Sequence, residues 1–210
     1  MRKFIKCLTL LLTIILLVNP IPVRAASKKD VKQITKVTNN YMLAVKQYNR
    51  KKISDCLYNK KFFYWIGYSK LQKYIKTINQ KHYSYKIKSI KVNGNSATVT
   101  ANISFYSSYD DSKWAMKEVL QEHDSSWSGS KTIKRYSSYL SKAYKDNLYY
   151  YEPEEFQDQF IFHNKTLIPF KKVNGRWKIE KVTKKMQWQM DGVTYDFMED
   201  FTKDPTIIFD

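Results

Sequence analysis

A chain of 210 residues with two cysteines, five glycines and a formal charge of +18 excludes several classes at once. It has too few cysteines for a disulfide scaffold or a thiol–metal cluster, and too few glycines for a loop that cradles phosphates. Only 5 of its 37 basic residues are Arg, the residue whose planar fork suits guanine and phosphate, so the charge does not point to specific nucleic-acid recognition.

In chain order, the first segment reads as a secretory signal peptide. Met1-Arg2-Lys3 and Lys6 form a basic start, Cys7–Val18 is an apolar run, Asn19-Pro20 breaks it, and Val23-Arg24-Ala25 presents small residues for cleavage after Ala25. The run is too short to cross about 30 Å of hydrocarbon, which takes roughly 20 residues. Cys7 precedes most of the run, so no lipid anchor is expected. Export leaves 26–210 as one domain, carrying one cysteine, Cys56, expected to be a small buried apolar residue. Its charge falls to +14 once Arg2, Lys3, Lys6 and Arg24 are removed. The Lys, Asn, Ile and Tyr excess is what AT-rich codons yield. A lysine-coated exported protein is nevertheless drawn to anionic polymers or lipids at low salt.

Asp30 to about Asn49 carries Val31, Ile34, Val37, Tyr41, Val45 and Tyr48 at three- and four-residue steps, which predicts an amphipathic helix capped by Asp30. Lys51 to Tyr58 gives a short second helix, and Ser69 opens a third with Leu71, Tyr74, Ile75 and Ile78 on one side. Between them lies an aromatic cluster, Phe62 to Tyr68. The period then drops to two. Tyr85 and Ile87 alternate with lysines, the phase slips near Ser89 as a bulge would make it, and Ala97 to Phe105 alternate cleanly. Asn93-Gly94 supplies the positive φ angles of a hairpin corner. Helices are expected over Ser112–His123 and Thr132–Leu148, with a short one opened by Pro153. Leu167–Val173, Asn174-Gly175 and Trp177–Val182 form a second hairpin, and Met186 to Phe201 a C-terminal helix. Lys-Val-Asn-Gly thus occurs twice, at 91–94 and 172–175, as two hairpin corners of one antiparallel sheet.

That order, with VNGNSATVTANISFY (Val92 to Tyr106) and LIPFKKVNGRWKI (Leu167 to Ile179), resembles the nuclear transport factor 2-like superfamily. Gly175-Arg176-Trp177-Lys178-Ile179 is similar to the way secreted bacterial members enter a late strand. The resemblance implies an α+β fold with N-terminal helices packed on a curved antiparallel sheet. It also implies a cone between them that in relatives is a binding or acid/base site. A helical insertion at about 107–155 and a C-terminal extension at about 183–210 depart from the compact form. Val99, Ala101, Ile103, Phe105, Trp177 and Ile179 face inward by alternation.

Enzymatic relatives use an Asp or His base in an apolar cone. Here the clearest strand has no inward titratable group, and His82, His123 and His163 are scattered. No metal or other cofactor is expected, and the carboxylates of YDDS (Tyr109 to Ser112) and EPEE (Glu152 to Glu155) read as helix-start groups. The aromatic excess suits binding. The residues put forward for it are Trp65, Tyr68, Ala101, Phe105, Trp177 and Trp188. The expected function is a secreted, non-enzymatic binding or interaction domain. Its ligand would be a small apolar or aromatic molecule in the cone, or an anionic cell-envelope polymer at a Lys/aromatic surface. The alternative is an acid/base isomerase or cyclase of the same fold, and a homodimer through the sheet face is a further option. An open apolar cone marks a pocket binder, a buried Asp, Glu or His opening into that cone with a second polar group in hydrogen-bond reach marks an enzyme, and a cone filled by Trp177 and Trp188 with an exposed aromatic patch marks an interaction module.

Overall fold

A computed structural model describes residues 27–61, 69–122 and 128–191. Helices α1 (Lys28–Lys46), α2 (Arg50–Cys56) and α3 (Ser69–His82) lead into strands β1 (Ser84–Asn93) and β2 (Ser96–Tyr106). Helices α4 (Tyr109–Glu122), α5 (Gly129–Tyr150) and α6 (Pro153–Phe160) follow. The described chain closes with β3 (Ile161–Val173), β4 (Arg176–Ile179) and α7 (Lys184–Asp191). The four strands form one antiparallel sheet in the order β1-β2-β3-β4. This is the α+β architecture expected. Among the described residues no helix is long and apolar enough to cross a membrane.

The first helix begins earlier than its apolar pattern does. Ser27, not Asp30, caps α1: its Oγ accepts the Asp30 N–H at 3.0 Å. Hydrophobic spacing locates a helix's buried stripe, but the cap lies outside that stripe. Asp30 sits in the first turn, where the helix dipole favours a carboxylate. One oxygen takes the Ser27 hydroxyl at 2.8 Å. The other accepts Lys172 Nζ at 2.7 Å and the Trp177 indole N–H at 2.8 Å. These donors hold the Asp30 carboxyl well below the usual carboxylate range, the Lys172 bond contributing most. One side chain thereby fastens the start of α1 to the β3–β4 hairpin.

The bulge is where the period slipped: Ile87 pairs with Ala101 and Ser89 with Thr100. Lys88 is the extra residue, so Ile87 and Ile90 share the inner face with Val99, Ala101, Ile103 and Phe105. The two Lys-Val-Asn-Gly copies do make the two corners, but in different frames. At the second, Asn174 (φ 48) and Gly175 (φ 75) are the central residues between Val173 and Arg176. At the first, Asn93 remains in the ladder opposite Ser96, and the corner is Gly94-Asn95 with only Gly94 (φ 58) in the left-handed region. The expectation of positive φ at Asn93 is therefore corrected. The first corner has the type II′ pattern and the second type I′.

Strand β3 starts at Ile161 rather than Leu167, and β4 ends at Ile179 rather than Val182. His163, Asn164 and Lys165 hid the alternation of β3. They are strand residues because β2 pairs with them throughout, from Ser96↔Lys171 to Tyr106↔Ile161.

Two cores result. The first lies between the inner sheet face and α1, α2 and α7; it holds Ile34, Tyr41, Met42, Val99, Phe105, Phe170 and Trp177. The second joins α3, α4, α5 and α6 to the far end of the sheet at Tyr106 and Ile161. The Ser107 N–H closes its base on the Phe160 carbonyl at 2.8 Å.

Candidate functional site

The nominated residues divide. Trp65 and Tyr68 lie outside the described residues, as do His123 and the rest of the Phe62–Tyr68 cluster. Ala101, Phe105 and Trp177 are 0, 1 and 2% exposed, packed in the first core. Trp188 is half-buried on α7. On the same helix Met190 is fully buried in that core, and its carbonyl accepts the Tyr83 hydroxyl at 2.6 Å. Helix α7 thus packs its Met190 among the inner-face side chains. Cys56 is buried, and desolvation pushes its thiol up to about 11. It is a packing residue without thiolate character at neutral pH.

Open clefts line the described surface, one of about 390 Å³ beside Ala44 and Cys56 at the edge of the first core, and one carries both carboxylates and rings. Between α4, α5 and the end of α6 is a cleft of about 330 Å³. Asp110, Asp111 and Asp146 supply carboxylates to it, and Trp114, Tyr151 and Phe160 supply rings. The helix spacing explains the convergence. Asp110, Asp111 and Trp114 stand in the first two turns of α4, with Asp146 near the C-terminal end of α5. Tyr151 and Phe160 flank α6, their centroids 5.2 Å apart in an edge-on pair. The carboxylates of YDDS and EPEE are first-turn groups of α4 and α6 as expected, but Asp111 does more than meet a dipole.

Asp111 is 5% exposed. Its Oδ2 accepts the Tyr106 hydroxyl at 2.5 Å and its Oδ1 accepts Asn147 Nδ2 at 2.8 Å, while the same amide reaches the Tyr106 oxygen at 3.2 Å. Burial raises the Asp111 carboxyl, the two hydrogen bonds oppose that, and neighbouring Asp110 adds to it. Burial and the Asp111 charge push the Tyr106 hydroxyl far above its usual range, so it stays protonated and donates. Behind Tyr106 sits His82, with its ring 5.6 Å from Tyr106 and 5.4 Å from Phe156, and Nε2 2.8 Å from the Tyr144 hydroxyl. Burial, then Lys81, lowers the His82 pKa, which favours a neutral imidazole. Ser112 and Tyr136 exchange a 2.6 Å hydroxyl bond beside them.

A floor carboxylate in low dielectric with aromatic walls attracts an organic cation, because ring faces are electron-rich and the carboxylates supply charge. Trp114 already carries such a contact, with Lys142 Nζ 5.5 Å from its centroid. Among the described residues no group of three or more His, Cys, Asp or Glu side chains is arranged to hold a metal ion.

Sequence reasoning passed over Asp111, Tyr106 and Asn147. The one available signal was Asp111 recurring in phase with Ala115 on the buried side of α4, a charge in an apolar stripe. Comparison of the chain with protein-family models, with curated proteins and with solved structures finds no match.

Proposed function

We propose that the protein is an exported, non-enzymatic binding domain of nuclear transport factor 2-like architecture. Its ligand, a small organic cation such as an alkylammonium, sits in the cleft of the helical insertion rather than in the cone. The observation that carries this reading is a contrast in filling. The inner sheet face is closed by Ala101, Phe105 and Trp177 at 0–2% exposure, whereas the cleft keeps about 330 Å³ open among three carboxylates and three rings. Sites of this kind are concave, largely aromatic and supplied with a few convergent polar groups. Export is supported by the basic start, apolar run and small residues before Ala25. Binding is favoured over acid/base turnover because both Asp111 oxygens already accept hydrogen bonds from Tyr106 and Asn147.

Titration with tetramethylammonium and n-butylammonium tests it, read by NMR at the Trp114 indole and the Asn147 side-chain amide. Both resonances are expected to shift saturably at millimolar cation, and Asp146→Asn with Trp114→Ala is expected to abolish the response. No shift at either group, with the fold intact, overturns the reading.

A further inference from the structure

No Asp or Glu occurs in any of the four strands, which carry seven lysines. Lys172 is turned inward to Asp30, Lys178 reaches the Asp55 carbonyl and Lys171 lies over the Tyr58 ring. Of the other four, Lys88 is the bulge residue, and the register places the remaining three around β2. Lys86 on β1 and Lys165 on β3 both oppose Asn102, and Lys91 opposes Thr98. Lys86, Lys91 and Lys165 are exposed, and Asn102 and Thr100 between them are exposed and half-buried. Strands are spaced about 4.8 Å apart, so Lys86 and Lys91 on β1 stand about 10 Å across from the line of Lys165 on β3, with a neutral strip of hydrogen-bonding side chains between them.

We propose that this outer sheet face is a docking track for a linear polyol phosphate, a polyanion with hydroxyls and no bases, laid along β2. Three features select that partner. Charge complementarity requires an anion, since the face has no carboxylate of its own and a second copy of it would meet like charge. Lysine offers rotatable point charges, which suit the phosphates of a flexible chain that presents no fixed bidentate geometry. The central strip presents hydroxyl and amide groups where a single-stranded nucleic acid would need aromatic platforms for its bases. A membrane surface fits less well, because Leu167 is the one large apolar side chain exposed on this face. The track is independent of the cleft, which lies beyond Tyr106 in the second core.

The test is binding of the full chain to poly(glycerol phosphate) at several salt concentrations, beside a 20-nucleotide oligo(dT) and phosphatidylglycerol vesicles. Lys86→Ser/Lys91→Ser/Lys165→Ser is compared with Lys36→Ser/Lys76→Ser/Lys145→Ser, which removes equal charge from exposed helix positions. The strand triple is expected to weaken polymer binding at least about tenfold and to reduce the log–log salt slope by about 2, from roughly 0.7 per phosphate contact. The helix triple is expected to lose far less. Backbone amides of β2 in the unaltered protein are expected to shift with polymer. Equal losses in the two triples, silent β2 amides, or tighter binding of oligo(dT) or vesicles with the same lysine dependence would each overturn the proposal.

Discussion

The two cores handle polar groups in opposite ways. In the first, α1 and α7 cover a sheet face whose strands supply almost nothing but apolar side chains, and the carboxylate that matters, Asp30, is kept at the rim. There it collects a hydroxyl, an ammonium and an indole N–H. In the second, the helices bury Asp111 itself, together with four tyrosines, and half-bury His82 beside them. A rim carboxylate with three donors helps hold two elements together. A buried one with two donors carries a desolvation cost that packing alone does not require. Departures of this kind from apolar packing concentrate at functional sites, and here the departure borders the open cleft.

The largest expected effect lies in the first core. Trp177 is 2% exposed and also donates to Asp30. Trp177→Ala is expected to lower stability by about 3–5 kcal/mol, as large aromatic truncations in cores do. Trp177→Phe, which keeps most of the apolar area and drops the indole donor, is expected to cost much less. Urea denaturation of both variants gives the comparison. A Trp177→Ala cost near that of an exposed residue would mean that the inner sheet face is not the main source of stability.

The two carboxylates separate next, by pH. Asp30 is held below its ordinary value of 3.8. Its contribution is therefore full above about pH 4 and lost as pH falls. Asp111 is raised, so its contribution is present below about pH 4 and is lost as pH rises through its folded-state value. Asp30→Asn is expected to lower Tm at pH 7, with the difference shrinking in acid. Asp111→Asn is expected to leave stability at pH 7 within about 1 kcal/mol of the parent, or to raise it, and to remove the decline on going from pH 4 to 7. Thermal melts from pH 3 to 8 decide it. If both variants show the same pH trend, the contrast between the cores is lost.

The sheet was more legible than the helical block for a physical reason. Ala97 to Phe105 alternate because one face is buried and the other wet, and a two-residue period admits no other explanation. That reached even the bulge, since a slip in phase at Ser89 has a backbone cause. The first half of β3 was missed because Phe162, His163 and Lys165 are exposed, leaving no alternation to read. Only hydrogen bonding to β2 makes that stretch a strand. The cleft was illegible because its parts come from three helices far apart in the chain. Asp111, Asn147 and Phe160 converge only when α4 and α5 pair. A helix-start carboxylate and a buried one look alike until the neighbouring helix is in place. On the inner sheet face the alternation was legible but its consequence for binding was not, since Ala101, Phe105 and Trp177 were put forward as ligand contacts and are packed in the first core.

The smallest effect tests the finest part of the comparison between the corners. The same four residues, Lys-Val-Asn-Gly, place their asparagine in a corner at 174 and in a ladder at 93. Replacing a left-handed asparagine with alanine introduces strain that a paired strand position does not have. Asn174→Ala is therefore expected to cost about 0.5–1 kcal/mol and Asn93→Ala clearly less. Gly175→Ala and Gly94→Ala are both expected to cost about 1 kcal/mol. Space is not the cause, since a Cβ at either glycine meets nothing within 4 Å; the positive φ is. Equal costs for the two asparagine variants in chemical denaturation would put both corners in one frame, and with it remove the one-residue offset that keeps Val92 and Val173 in their observed pairings.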